Sequence, residues 1–173
     1  MIFATVAPAG QLDCPSDLHS RKPLHLLEFL TPSRIAVREP LVDVDAVMTR
    51  LVALALPWSP AREDTLREVK ARESVFPTAL GDGVALPHVR SANVQTVTLS
   101  AVALQHAIPF GSRDGSDVDL FVLVLSPINA PSEHLKMLRA VAKLVAQPAT
   151  IRALRHAPSV AAFLKIVQQS PSF

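Results

Sequence analysis

The unbroken apolar run from Leu120 to Leu125 most constrains what this chain can fold into. It falls far short of the roughly 20 residues that a membrane-spanning helix needs, so it belongs in a protein core. With Val118 ahead of it, Val118 to Leu125 reads as a strand. The Asp114-Gly115 pair just upstream is a turn signal, and a strand rich in valine, threonine and leucine is expected earlier, from Val94 to Leu104. Arg34-Ile-Ala-Val-Arg38 alternates charged and apolar residues, which marks a further strand.

Helices are expected between and after these strands. Asp43 can cap one whose Val44, Val47, Leu51 and Leu54 repeat at helical spacing until Pro57. Ser59-Pro60 offers a cap and a first-turn proline to a second, with Leu66 and Val69 inward, running to about Glu73. Pro77 to Pro87 reads as a turn-rich loop with an apolar insert. Pro131 and Ser132 open a helix with an expected inner stripe of Leu135, Leu138, Ala142 and Val145, and Pro148 and Pro158 start two short terminal helices. Strands and helices mix without strict alternation, so the expected fold is single-domain α/β: a mixed β-sheet flanked by helices on both faces.

Composition narrows the function classes. Of 173 residues, 49% are hydrophobic and 18% charged, a balance that supports a folded core. The formal net charge is only +2, with basic and acidic residues interspersed, so no nucleic-acid surface is expected. Cys14 is a lone cysteine and cannot form an internal disulfide. Residues 1–23 lack a sustained period and read as a poorly ordered extension, leaving 24–173 as the domain. The mildly apolar start, Met1 to Gly10, has no cationic flank and does not read as a signal peptide. A cytoplasmic protein without membrane insertion is the expectation.

The densest chemical signal is Arg72-Glu73, Pro77-Thr78 and the run from Gly81 through Gly83 to Leu86-Pro87-His88. Gly81 and Gly83 allow a tight turn whose N–H groups could cradle an anion, with Thr78 alongside. Pro87 stiffens the backbone that presents His88. A neutral imidazole is a nucleophile near neutral pH, and Arg72 could neutralise a phosphoryl group bound there. His134 opens a helix, where an anion is favoured.

Plainer readings stand beside these. A histidine after Leu-Pro is usually a loop residue, Arg72 a solvated helix-end charge, His134 a boundary residue, and the glycine pair an ordinary turn. His19, His25, His106 and His156 have no supporting context and read as structural or solvent-facing. No phosphate-binding P-loop, H-E-x-x-H or paired C-x-x-C is present, and Ser126 and Ser132 lie in no nucleophile-elbow motif.

Taken together, Arg72-Glu73, Thr78, Gly81, Gly83-Val84-Ala85-Leu86-Pro87-His88, the Asp114-Gly115 turn, the Val118–Leu125 strand and His134-Leu135 resemble a known family. It is the enzyme IIA domain of the bacterial phosphotransferase system, in its fructose/mannitol/nitrogen-regulatory class. The resemblance covers about residue 24 to the C-terminus. It implies that His88 carries a phosphoryl group, supported by Arg72 and His134. The implied donor is the phosphocarrier HPr or a nitrogen-branch relative. The receiver would be an enzyme IIB or a set of regulated proteins, and no cofactor, metal or nucleotide is implied. A free-standing domain suits either a nitrogen-regulatory role or a separately encoded sugar-transport component. The rival expectation is a regulatory binding module of the same fold without obligatory transfer; a small hydrolase is disfavoured by the missing motifs. Docking is expected on an apolar patch around His88 formed by Val84, Leu86 and Pro87, unless Val84 and Leu86 are core residues.

Overall fold

The computed structural model describes residues 25–170. The expected extension at residues 1–23 and Cys14 lie outside the described residues. Two 3₁₀ turns, Leu26–Glu28 and Pro32–Arg34, lead into strand β1, Ile35–Glu39. Helices α1 (Val44–Ala55) and α2 (Arg62–Val75) follow. Then come short strands β2 (Ala79–Gly81), β3 (Val84–Ala85) and β4 (His88–Ser91). Two long strands, β5 (Thr98–Ile108) and β6 (Val118–Pro127), precede helices α3 (Pro131–Leu144), α4 (Pro148–Arg155) and α5 (Val160–Gln169).

The described strands form one six-stranded sheet in the order β1-β5-β6-β3-β2, with β4 also paired to β6. β1/β5, β3/β6 and β4/β6 are parallel, while β5/β6 and β2/β3 are antiparallel, so the sheet is mixed as expected. The apolar run explains why both faces carry helices. Leu120, Val122 and Val124 pack with Met137, Val141, Leu154 and Phe163 of α3, α4 and α5. Phe121, Leu123 and Leu125 pack with Val47, Leu51 and Val69 of α1 and α2. Leu120 to Leu125 is buried on both faces of the sheet, and a stretch so placed reads as a continuous apolar run.

Asp43 caps α1 as expected, its carboxylate accepting from Ala46 N–H at 2.7 Å. The start of α2 differs. Ser59 Oγ accepts from Ala61 N–H at 3.2 Å and closes a turn, so the helix begins at Arg62, after Pro60. The loop expected from Pro77 to Pro87 contains β2 and β3, which are too short to show a period. β5 lies four residues later than expected. Residues 92–97 hold a turn and irregular chain, and the strand runs on through polar Gln105-His106, where pairing to β6 lapses between Ala103 and Ile108. The α3 stripe also differs. Met137, Ala140, Val141 and Leu144 face the core with Val145, whereas Leu135 and Ala142 are exposed and Leu138 is half-buried. Apolar residues cover most of this helix, and the sheet beneath selects which of them turn inward. Among the described residues, no helix is long and apolar enough to cross a membrane.

Candidate functional site

His88 is the first residue of β4 and sits level with Val124 of β6, secured where Val124 N–H donates to Pro87 O at 3.0 Å. Its ring is held at both nitrogens. Nδ1 lies 2.8 Å from Leu86 O, and a carbonyl can only accept, so Nδ1 carries the proton. The lone pair is therefore on Nε2, which faces Arg72 Nη2–H at 3.2 Å. Arg72 is in the last turn of α2, and its other nitrogen, Nη1, donates to Phe76 O at 2.7 Å. The guanidinium is thus aimed at the nitrogen able to act as a nucleophile.

Thr78 is buried and ties these two elements together. Glu73, also buried, accepts from Thr78 N–H at 2.5 Å and from Thr78 Oγ1–H at 2.8 Å. Leu86 N–H in turn donates to Thr78 O at 3.1 Å. The path from Arg72-Glu73 through Thr78 to Leu86 and His88 is a continuous chain of covalent and hydrogen bonds. Thr78 thus links the two elements, its N–H and hydroxyl spent on Glu73 and its carbonyl on Leu86.

His134 lies in the first turn of α3, its ring centroid 5.6 Å from that of His88. Its Nδ1 is 2.9 Å from the hydroxyl of buried Ser126. Burial foremost, then the nearby His88 and Arg90 charges, lowers the pKa of His134 from 6.5 to about 4. The ring is neutral near pH 7.

Gly81 and Gly83 stand elsewhere. With Asp82 they form the β2–β3 turn, all at positive φ (+91°, +52° and +73°). Asp114 Oδ2 accepts from Asp82 N–H at 3.1 Å, and Arg155 Nη2–H donates to Asp82 O at 2.7 Å. Side-chain and backbone hydrogen bonds from Ser112, Ser116 and Asp82 hold the Asp114 carboxyl well below the usual carboxylate range. A Cβ on Gly83 would strike the Arg155 guanidinium. Val84 pairs with Leu120 and His88 with Val124, a separation of about 13 Å at 3.3 Å per residue. The glycines build the turn and do not line the His88 site.

Two residues were missed in the sequence. Arg90 follows His88 by two on β4, so it shares that strand's face; its Nη1–H donates to Ile128 O at 3.4 Å. Ser126 sits opposite Arg90 in the β4–β6 register. The strand period flags Arg90; nothing local flags Ser126, whose role depends on pairing between distant segments. The expected apolar patch also differs: Val84, Leu86 and Pro87 are all buried. Exposed apolar side chains come instead from Val75, Phe76, Ile128 and Leu135 (83, 52, 53 and 49% exposed), each in or next to an element that carries a site residue. Arg113 lies over the Phe76 ring, 4.9 Å from its centroid. Among the described residues, no three His, Cys, Asp or Glu side chains cluster as metal ligands would.

Known proteins share this architecture. A nitrogen regulatory protein of Pseudomonas aeruginosa is 33% identical over 147 residues, covering 83% of this chain and 95% of that protein. The crystal structure of nitrogen regulatory protein IIA-Ntr from Neisseria meningitidis matches with a TM-score of 0.76 at 28% identity, covering 81% of this chain and 97% of that one. The complex of enzyme IIAMTL and phosphorylated enzyme IIBMTL from Escherichia coli shares the fold, with a TM-score of 0.69 at 15% identity over 82% of this chain and all of that one. The family described as "Phosphoenolpyruvate-dependent sugar phosphotransferase system, EIIA 2" matches residues 28–170, a span holding the whole sheet and Arg72, His88 and His134. This chain belongs to that EIIA 2 family.

Proposed function

We propose that His88 accepts a phosphoryl group from a phosphohistidine on HPr or a nitrogen-branch relative and surrenders it to a further protein. The observation that carries this reading is the state of the ring: Nδ1–H fixed on Leu86 O, and the Nε2 lone pair beside Arg72. In the transfer, Nε2 forms the new N–P bond as the donor's N–P bond breaks and its imidazole leaves with that electron pair. The phosphoryl group is already activated, so the chain supplies position and charge stabilisation. Arg72 meets the dianion with N–H donors, and Leu86 O steadies the ring as it gains positive character. A Ser126 hydroxyl that donates to Nδ1 of His134, 2.9 Å away, would leave that ring's proton on Nε2 as a further donor to the phosphoryl oxygens.

The P. aeruginosa and N. meningitidis relatives favour a regulatory outlet, in which the phosphorylation state of His88 sets partner choice. A sugar-specific enzyme IIB is the alternative receiver, supported by the fold shared with the IIAMTL–IIBMTL complex. The test is incubation with enzyme I, HPr and phosphoenolpyruvate, following acid-labile phosphate on the chain. Wild type gains it and His88→Ala does not, while circular dichroism shows the variant folded. Uptake by His88→Ala at the wild-type rate would overturn the proposal. No uptake by folded wild type would favour the pure binding module.

A further inference from the structure

A polar cleft of about 380 Å³ is lined by Arg38, Leu104, Gln105, His106, Arg155 and His156, with no carboxylate among them. It lies at the opposite end of the sheet from His88. Ile108, two residues beyond His106, pairs with Val118, whereas His88 lies level with Val124. The step from Val118 to Val124 spans about 20 Å at 3.3 Å per residue, so a small ligand in this cleft cannot reach the His88 ring.

Arg38 is its unusual member. β1 pairs through Ala36 with Val102 and through Glu39 with Leu104, leaving one residue too many on β1. Arg38 sits in that bulge with φ at +57°, a left-handed conformation that side-chain-bearing residues other than Asn and Asp seldom adopt. Gln105 Nε2–H holds it there, donating to Arg38 O at 2.9 Å. The Arg38 side chain is exposed, and its guanidinium has no ion pair or hydrogen bond among the described residues. A strained position occupied by an unpaired cation points to a role outside the fold's own bonding.

The other wall is prearranged. Arg155 Nε–H donates to Asp119 at 2.6 Å and Nη2–H to Asp82 O at 2.7 Å, leaving Nη1 without a partner among the described residues. Asp119 offsets much of this charge, and the carbonyl end of α4 at His156 disfavours anions. The site therefore depends on Arg38, with His106 and His156 adding ring N–H donors. Its volume suits a small molecule.

We propose that this cleft binds a small phosphate-bearing anion, inorganic phosphate or a phosphomonoester, gripped by Arg38 with His106 and His156 and independently of transfer at His88. The paired N–H groups of a guanidinium match two phosphate oxygens.

The test follows the assigned imidazole resonances of the whole chain by NMR during titration with sodium phosphate, then with glycerol 1-phosphate, against sodium chloride of matched ionic strength. Saturable shifts of His106 and His156 are expected with at least one phosphate compound and not with chloride. Saturation by phosphate alone identifies the inorganic ion; saturation by the ester alone identifies the monoester. Arg38→Gly suits the positive φ and keeps the bulge, and should weaken binding at least tenfold while His88 shifts stay as in wild type. His156→Gln should weaken it less. Shifts that track ionic strength alone, or an Arg38→Gly chain that titrates like wild type, would overturn the proposal.

Discussion

At the residue scale, the site rests on assigning each ring nitrogen one task. Replacing Arg72 by Ala removes the donor beside His88 Nε2, and loss of one such donor typically costs about a hundredfold in rate. Arg72→Lys should recover only part of that, since an ammonium cannot hold Phe76 O and the phosphoryl group in the same planar geometry. Transfer rates from phospho-HPr measure both, and wild-type rates in Arg72→Ala would remove Arg72 from the mechanism. His134 gives a pH signature. Its folded pKa of about 4 lies below the 6.5 of an ordinary histidine. As pH falls from 6.5 towards 4, the unfolded chain therefore binds a proton that the folded one refuses, and stability declines. Below pH 4 both states are protonated and the loss levels off. Denaturant unfolding of wild type and His134→Gln between pH 7 and 4 should show the variant losing less stability; parallel curves would contradict this assignment. Arg72, His88 and His134 were legible in the sequence because the motif places them in order. Ser126 was not, because only the pairing of β4 with β6 and the docking of α3 bring its hydroxyl to His134.

At the scale of elements, Thr78 couples α2 to the segment that presents His88. Thr78→Val keeps the shape but takes one donor from the buried Glu73 carboxylate, a loss of about 1–3 kcal/mol. Because that bond also sets the end of α2 against Leu86, transfer should slow along with the fall in stability. A variant that loses stability with an unchanged transfer rate would make Thr78 a fold residue only. The long strand β6 was legible because its stretch from Leu120 to Leu125 is buried on both faces and apolar throughout. The β2–β3 hairpin was hidden in its glycine turn, and α3 carries enough apolar residues to suggest a stripe of the wrong phase. In each case, packing against a distant element decided what local pattern left open.

At the scale of the whole molecule, the sheet carries the His88 cluster towards one end and the Arg38 cleft towards the other. Exposed Val75, Phe76, Ile128 and Leu135 lie in or next to the elements that carry Arg72, Ser126 and His134, and under the proposed transfer they would supply the small apolar centre that a transient partner needs. Charges placed there, as in Val75→Glu combined with Leu135→Glu, should slow transfer from HPr at least tenfold. Because these side chains are already solvated, thermal stability should change by only about 0.5 kcal/mol or less. Normal transfer in the double variant would put the docking surface elsewhere. Val84 and Leu86, which the sequence offered as docking residues, are core residues of the strand path into His88.

The most direct measurement of the central claim is ¹⁵N–³¹P correlated NMR of the ¹⁵N-labelled chain after phosphorylation by enzyme I, HPr and phosphoenolpyruvate. The expected result is one phosphorus coupled to Nε2 of His88, with Nδ1 still protonated against Leu86 O. Phosphorus on Nδ1 of His88, on His134 or on any other residue would contradict the account.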